Sequence, residues 1–452
     1  MSSNELSVRQ GRKQRASRFA AITFAAATCF AAQGQVQVVR PPVAQVWLDV
    51  ATFSGLGMPA GLPSGMPNAS SGTGAPTAMS VLGGLLGDRL GGAVGAGSGG
   101  ATAPASNAGS GSNRFGQTQG MATGRWLDVT LTTRQNPQLS DAQHNVPAGF
   151  LSPALRLQAP KETRGAVPEP GDERTTEPEY ERPKGKLTLY WGCGENVRPG
   201  QPRVLDMATA SPADLARFFQ ARRATQRGTH SASGRPVWPS AVDSRMLPAQ
   251  ASLVGEHAFA GSGVPDGFRF QLPSAQDLMP ALSLRQREAS GATQLEWQAL
   301  PTARAYFIAA MGSRGEGDMV LWTSSEQPET GFGLLDYQTN AAVDRWLKEQ
   351  VLLAPQTTRC DVPRGAFGSE GAMLRMIAYG SELNLAHPPR PLNPLTPWEP
   401  IWAAKVRVKS VSMALLGQDM AEGAERPVAP APAPEPEKKP GVKDLLRGIL
   451  GR

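Results

Sequence analysis

Histidine and cysteine are scarce in this chain, with four and three among 452 residues. His144, His230, His257 and His387 form no His-x-x-x-His pair, and no Gly-x-Ser-x-Gly elbow is present, so two ready-made hydrolase signatures are missing. No charge of one sign dominates. Lys and Arg number 45 against 38 Asp and Glu, and removal of residues 1–32 takes five basic residues and one acidic, lowering the net charge from +7 to +3. So small a surplus over so long a chain gives no electrostatic case for nucleic acid.

Arg9, Arg12, Lys13, Arg15 and Arg18 precede an apolar run at residues 19–32. Basic residues, then an Ala/Phe-rich core, then small residues is the order of a secretory signal, and the core is too short to span a bilayer comfortably. Residues 1–32 are therefore expected to be a signal peptide, the alternative being a retained anchor, and the chain to be exported to the periplasm or envelope. Removal of Cys29 with that segment leaves Cys193 and Cys360. An even pair in an oxidising compartment is compatible with one disulfide; two buried thiols acting as small apolar residues are the other reading.

Glycine (50) and proline (40) are in excess, which leaves material for two folded domains with linkers. Residues 53–124 are Gly, Ala, Ser, Met and Pro with little charge and are expected to be a disordered insertion. Residues 159–184 read as a charged Pro-rich linker and 417–440 as an extended Pro/Ala/Glu spacer. At 441–452, Val442, Leu445, Leu446, Ile449 and Leu450 fall at helical spacing with Lys443, Arg447 and Arg452 among them. That pattern predicts a short amphipathic helix whose Leu445, Leu446, Ile449 and Leu450 dock on a membrane or partner.

The remaining segments read as β. Trp-Leu-Asp-Val occurs at Trp47 and again at Trp126, each inside an alternating stretch, and two neighbouring strands of one sheet is the preferred reading. Strands are also expected at 155–157, 185–191, 267–272 and 281–286. Ser211 and Pro212 suit the cap and first turn of a helix reaching about Arg222, with Leu215, Phe218 and Phe219 on one face. The fold class expected is mainly β: two β-rich, sandwich-like domains at 33–290 and 291–416, with long disordered Gly/Pro-rich insertions and a short C-terminal helix.

Residues 293–297, 301–308 and 319–322 resemble the B, C and C′ strands of a fibronectin type III-like sandwich. The resemblance implies that Leu295 and Trp297 face Tyr306 and Ile308 from opposite sheets, and that 405–409 closes the domain as an edge strand with Lys405, Arg407 and Lys409 outward. A helix-like insert at 341–350, with Val343, Trp346 and Leu347 on one face, departs from that family, as does the missing F-strand tyrosine. The whole chain also resembles uncharacterised exported proteins of Gram-negative bacteria through residues 190–195, 198–202 and 319–325, which implies no activity.

Chemistry-bearing patterns are few. Residues 95–100 match the dinucleotide fingerprint literally but lack the strand before it, the helix after it and the acidic residue beyond, so no nucleotide cofactor is expected. Gly83, Gly87, Gly91, Gly95 and Gly99 recur every fourth residue as in glycine zippers, although Asp88 and Arg89 interrupt the run and a linker is preferred. Glu256 and His257, with Asp266 and Asp277, are the first place to look for hydrolysis. Trp238, Trp398 and Trp402 in Pro-flanked contexts could stack on sugars or prolines, or fill a core. The function expected is an exported envelope-associated structural or binding protein without identifiable catalysis, its partner an envelope protein or membrane surface; the alternative is a secreted carbohydrate-active hydrolase with a fibronectin-like module.

Overall fold

The structure, a computed structural model, describes residues 37–55, 113–151, 154–161, 185–220, 222, 228–315, 317–368 and 371–416. The tract at 1–32, the glycine stripe, most of the insertion at 53–124 and of the linker at 159–184, the 417–440 spacer and the terminal segment with Leu445, Leu446, Ile449 and Leu450 lie outside those residues.

In chain order the strands are β1 (Ala44–Gly55), β2 (Gly124–Thr133), β3 (Asp141–Asn145), β4 (Ala154–Gln158), β5 (Lys186–Trp191), β6 (Arg203–Asp206), β7 (Val237–Trp238), β8 (Gly255–Gly261) and β9 (Arg269–Leu272). There follow β10 (Leu284–Ala289), β11 (Ala292–Trp297), β12 (Ala305–Arg314), β13 (Asp318–Thr323), β14 (Arg359–Val362), β15 (Ala372–Tyr379), β16 (Leu383–His387) and β17 (Trp402–Leu416). Two helices are described, α1 (Pro212–Phe218) and α2 (Asn340–Lys348).

Alternation builds the centre. Along β1, Val46, Leu48 and Val50 enter one core while Ala51 and Phe53 enter another on the opposite face. β2 runs antiparallel beside it, with Asp49 directly opposite Asp128 and Leu48 opposite Val129. The two Trp-Leu-Asp-Val segments are thus neighbouring strands, as expected. On its other side β1 pairs in parallel with β17, from Ala44 against Trp402 to Gly55 against Met413.

The fold is mainly β, and its strands form two sheets. Fourteen strands join in the order β6-β5-β13-β12-β15-β17-β1-β2-β7-β4-β3-β8-β9, with β16 also on β17, and β10-β11-β14 form a smaller sheet. Strands from either side of residue 290 are interleaved: β5 pairs with β13, and β1 lies between β17 and β2. The expected boundary at 290/291 therefore does not coincide with a gap in the sheet, because alternation tells which residues are inside but not which strand lies beside which.

The first core lies between the large sheet and the small one, where Leu295 and Trp297 meet Tyr306 and Ile308, and Trp297 stands edge-on to Tyr306 at 5.6 Å. These four side chains face one another from opposite sheets, as their alternation requires. The far strands bend back over the same face, so that Phe268 stacks on Trp402 with centroids 5.0 Å apart. On the other face α2 lays Val343 and Trp346 over Phe307, Ile377 and Val411, while Phe218 and Phe219 cover Leu187, Leu189 and Leu321. Ser211 and Asp214 close a capping box at α1, whose last helical residue is Phe218, four residues short of the expected end at Arg222.

β17 corrects one expectation. It is an interior strand between β15 and β1, and Arg407 and Lys409 are 3 % and 0 % exposed. Their charges are matched by buried and half-buried acids from distant segments, so they do not guard an edge.

Candidate functional site

The densest group of ionisable side chains lies on the helix-covered face of β1, β2 and β17. Register makes it: Arg407 is the parallel partner of Asp49, and Asp128 is the antiparallel one. Arg407 grips Asp49 through Nε to Oδ1 at 2.6 Å and Nη2 to Oδ2 at 2.5 Å. Thr229 adds its backbone N–H at 3.0 Å and its hydroxyl at 2.8 Å to the same Oδ2. A Cβ at residue 228 would collide with the Arg407 guanidinium, so glycine there lets the loop approach the pair.

Next along β17, Lys409 donates to Asp336 at 2.9 Å and lies 4.1 Å from the centroid of the Tyr337 ring. The same ring takes the Arg407 guanidinium on its face at 4.4 Å, and its hydroxyl donates to Val50 O at 2.9 Å. The Asp336 side chain is 39 % exposed, so solvent screens its pair with Lys409 more than the pair of Asp49 with Arg407.

These contacts set the ionisation. Burial first, and then the nearby Asp49 charge, push the Asp128 carboxyl up to about 7, against the lowering effect of donors from Thr118 and Gly116. Burial pulls Arg407 down, but the Asp49 and Asp336 carboxylates more than offset it and hold the guanidinium above its usual range. Lys409 is lowered by burial in spite of Asp336.

Chemically this seam is closed. Asp49 accepts four hydrogen bonds, which leaves it little capacity as a base or ligand. Asp128 accepts from Gly116 N, Thr118 N and the Thr118 hydroxyl and is 1 % exposed. The arrangement fixes strand register through charge pairing. Sequence reasoning singled out Asp49 and Asp128 only as parts of a repeat, and turned Arg407 and Lys409 outward; the repeated Asp in two buried strands was the available signal.

The residues proposed for hydrolysis are not brought together. On β8, Glu256 is exposed and His257 buried, on opposite faces. His257 Nε2 donates to Leu253 O at 2.7 Å, which leaves its Nδ1 to accept from His144 Nε2 at 2.8 Å. Both rings are fully buried beside Phe259 and Phe270, and burial lowers both histidines below their ordinary range. Asp277 instead accepts from Ser252, Leu253 N and Leu278 N as a loop brace. Among the described residues no group of three or more His, Cys, Asp or Glu could hold a metal ion.

Trp238 and Trp402 are buried in the first core, whereas Trp398 is half-buried, donating to Pro388 O at 3.0 Å beneath Arg390. Cys193 and Cys360 form a disulfide that joins the segment after β5 to β14 of the small sheet, with Cα atoms 5.0 Å apart. A recess of about 470 Å³ opens at the end of β1 among Thr52, Ser54, Arg125, Met279 and Pro280. Comparison with protein-family models, curated proteins and solved structures finds no match.

Proposed function

We propose that this chain is an exported, envelope-associated structural or binding protein. The observation that carries the reading is the bond between Cys193 and Cys360, the two cysteines left once the N-terminal tract with Cys29 is set aside. A structural disulfide belongs to an oxidising compartment, and the basic-then-apolar order of residues 9–32 is the pattern that directs a chain there. The interior supports a scaffold: its concentrated charges are spent on one another. Its partner is an envelope protein or a membrane surface.

The test is cell fractionation with thiol trapping and N-terminal sequencing of the protein recovered. The reading expects the chain in the periplasmic or envelope fraction with Cys193 and Cys360 protected from alkylation until reduction. An intact cytosolic chain with both thiols free would overturn it.

A further inference from the structure

One end of the large sheet carries an apolar tip. Residues 37–40 run beside the proline-rich loop 388–401, where Trp398 N donates to Val38 O and Arg40 N to Trp398 O, both at 2.9 Å. Leu392 is 102 % exposed, Leu395 63 %, Val38 58 %, Val39 50 % and Ile401 43 %, and these five are half of the ten large apolar residues found exposed among the described residues. Single exposed apolar residues are ordinary; five along two paired segments form a patch.

The tip is held outward. Gln37, itself buried, donates from Nε2 to Thr396 O at 2.8 Å and Asn393 O at 3.4 Å, and its Oε1 accepts from Arg390 at 2.6 Å. Trp398 fixes the start of the loop through Pro388 O. Leu392 and Leu395 are thus presented by a braced loop. Around them stand Arg40, Arg134 and Arg390, with Glu399 pairing the first two, so the rim has a positive surplus. Apolar tips with a tryptophan and basic residues at their rim match the headgroup region of an anionic bilayer.

The chain supplies a second argument. The apolar run at 19–32 ends six residues before Val38, which is about 20 Å of fully extended backbone. In the retained-anchor alternative for residues 1–32, the membrane that this run enters has this end of the sheet as the nearest part of the described structure; with the tract removed, the apolar tip and its basic rim carry the proposal by themselves.

We propose that residues 38–39 and 392–401 form a membrane-contacting face, with Leu392 and Leu395 entering the lipid headgroup region. This rests on the envelope reading above and adds the orientation.

The test uses the full chain with Cys29→Ser and either Leu395→Cys or Met373→Cys, labelled with an environment-sensitive fluorophore. Met373 is exposed and lies near the opposite end of the sheet, paired with Leu415. Each protein is reconstituted with phosphatidylethanolamine–phosphatidylglycerol vesicles carrying spin-labelled lipids. The expected result is a blue shift and loss of emission by quenching at 395 and neither at 373. Co-flotation with the vesicles while both labels stay water-exposed would overturn the face and leave envelope association standing. A shift at 395 in native envelope vesicles but not in pure lipid would also overturn it, in favour of a protein partner. Failure to float at all would overturn the face, and recovery of the protein from the cytosol in cells would bring down the envelope reading with it.

Discussion

Asp49 and Asp128 are the same residue of a repeated tetrapeptide, placed directly across a strand pair, yet they have different hydrogen-bond and charge partners. Asp49 has Arg407, whereas Asp128 has only neutral donors and the like charge of Asp49. Removing Asp49 leaves a guanidinium 3 % exposed without its close anion. Asp49→Ala is therefore expected to cost about 3–5 kcal/mol in urea unfolding, and the double change Asp49→Leu with Arg407→Met far less, since a buried charge left alone is worse than none. For Asp128 the folded carboxyl is raised from 3.8 to about 7, so the folded state binds the proton more tightly. Its contribution is fully present below 3.8, declines as pH rises, and is lost above about 7. Asp128→Asn is expected to remove that decline from the stability profile measured between those limits; an unchanged profile would contradict the assignment.

At the scale of elements, β17 marks where pattern reading stops. Lys405, Arg407 and Lys409 alternate with Val406 and Val408, and in a strand that alternation ordinarily means one wet face. The acids that make the other face dry lie at Asp49 and Asp336, remote in the chain, so nothing local distinguishes a guarded edge from a paired interior. Where both neighbours are apolar, local pattern suffices. β1, β2, β5 and β9 fall close to their expected positions, and period-two alternation suffices to turn Trp297 and Tyr306 inward. Cys193 and Cys360 carry no such local signal, since parity admits both a bond and two thiols. Their bond fastens the small sheet to the large one, and its ends are 167 residues apart. Cys193→Ser with Cys360→Ser is expected to lower stability by about 2–5 kcal/mol, with hydrogen exchange rising first in β14 and the segment after β5. Loss of protection spread evenly over both sheets would contradict that local role.

Across the whole molecule, class was legible and pairing was not. Hydrophobic period gives mainly β, but the large sheet depends on long-range partners such as β1 with β17 and β5 with β13, and those registers emerge only when all strands compete for neighbours. The charged seam is a product of that assembly. Its four charges come from β1, β17 and the segment before α2, and no short motif spans them.

The parallel pairing of β1 with β17 has one more effect. Gly55 lies against Met413, so the chain enters residues 56–112 and residues 417–452 from adjacent points, away from the tip that bears Leu392. Capture of one of these two stretches by any target would hold the root of the other beside it, at an effective concentration of the order of millimolar if the spacer permits.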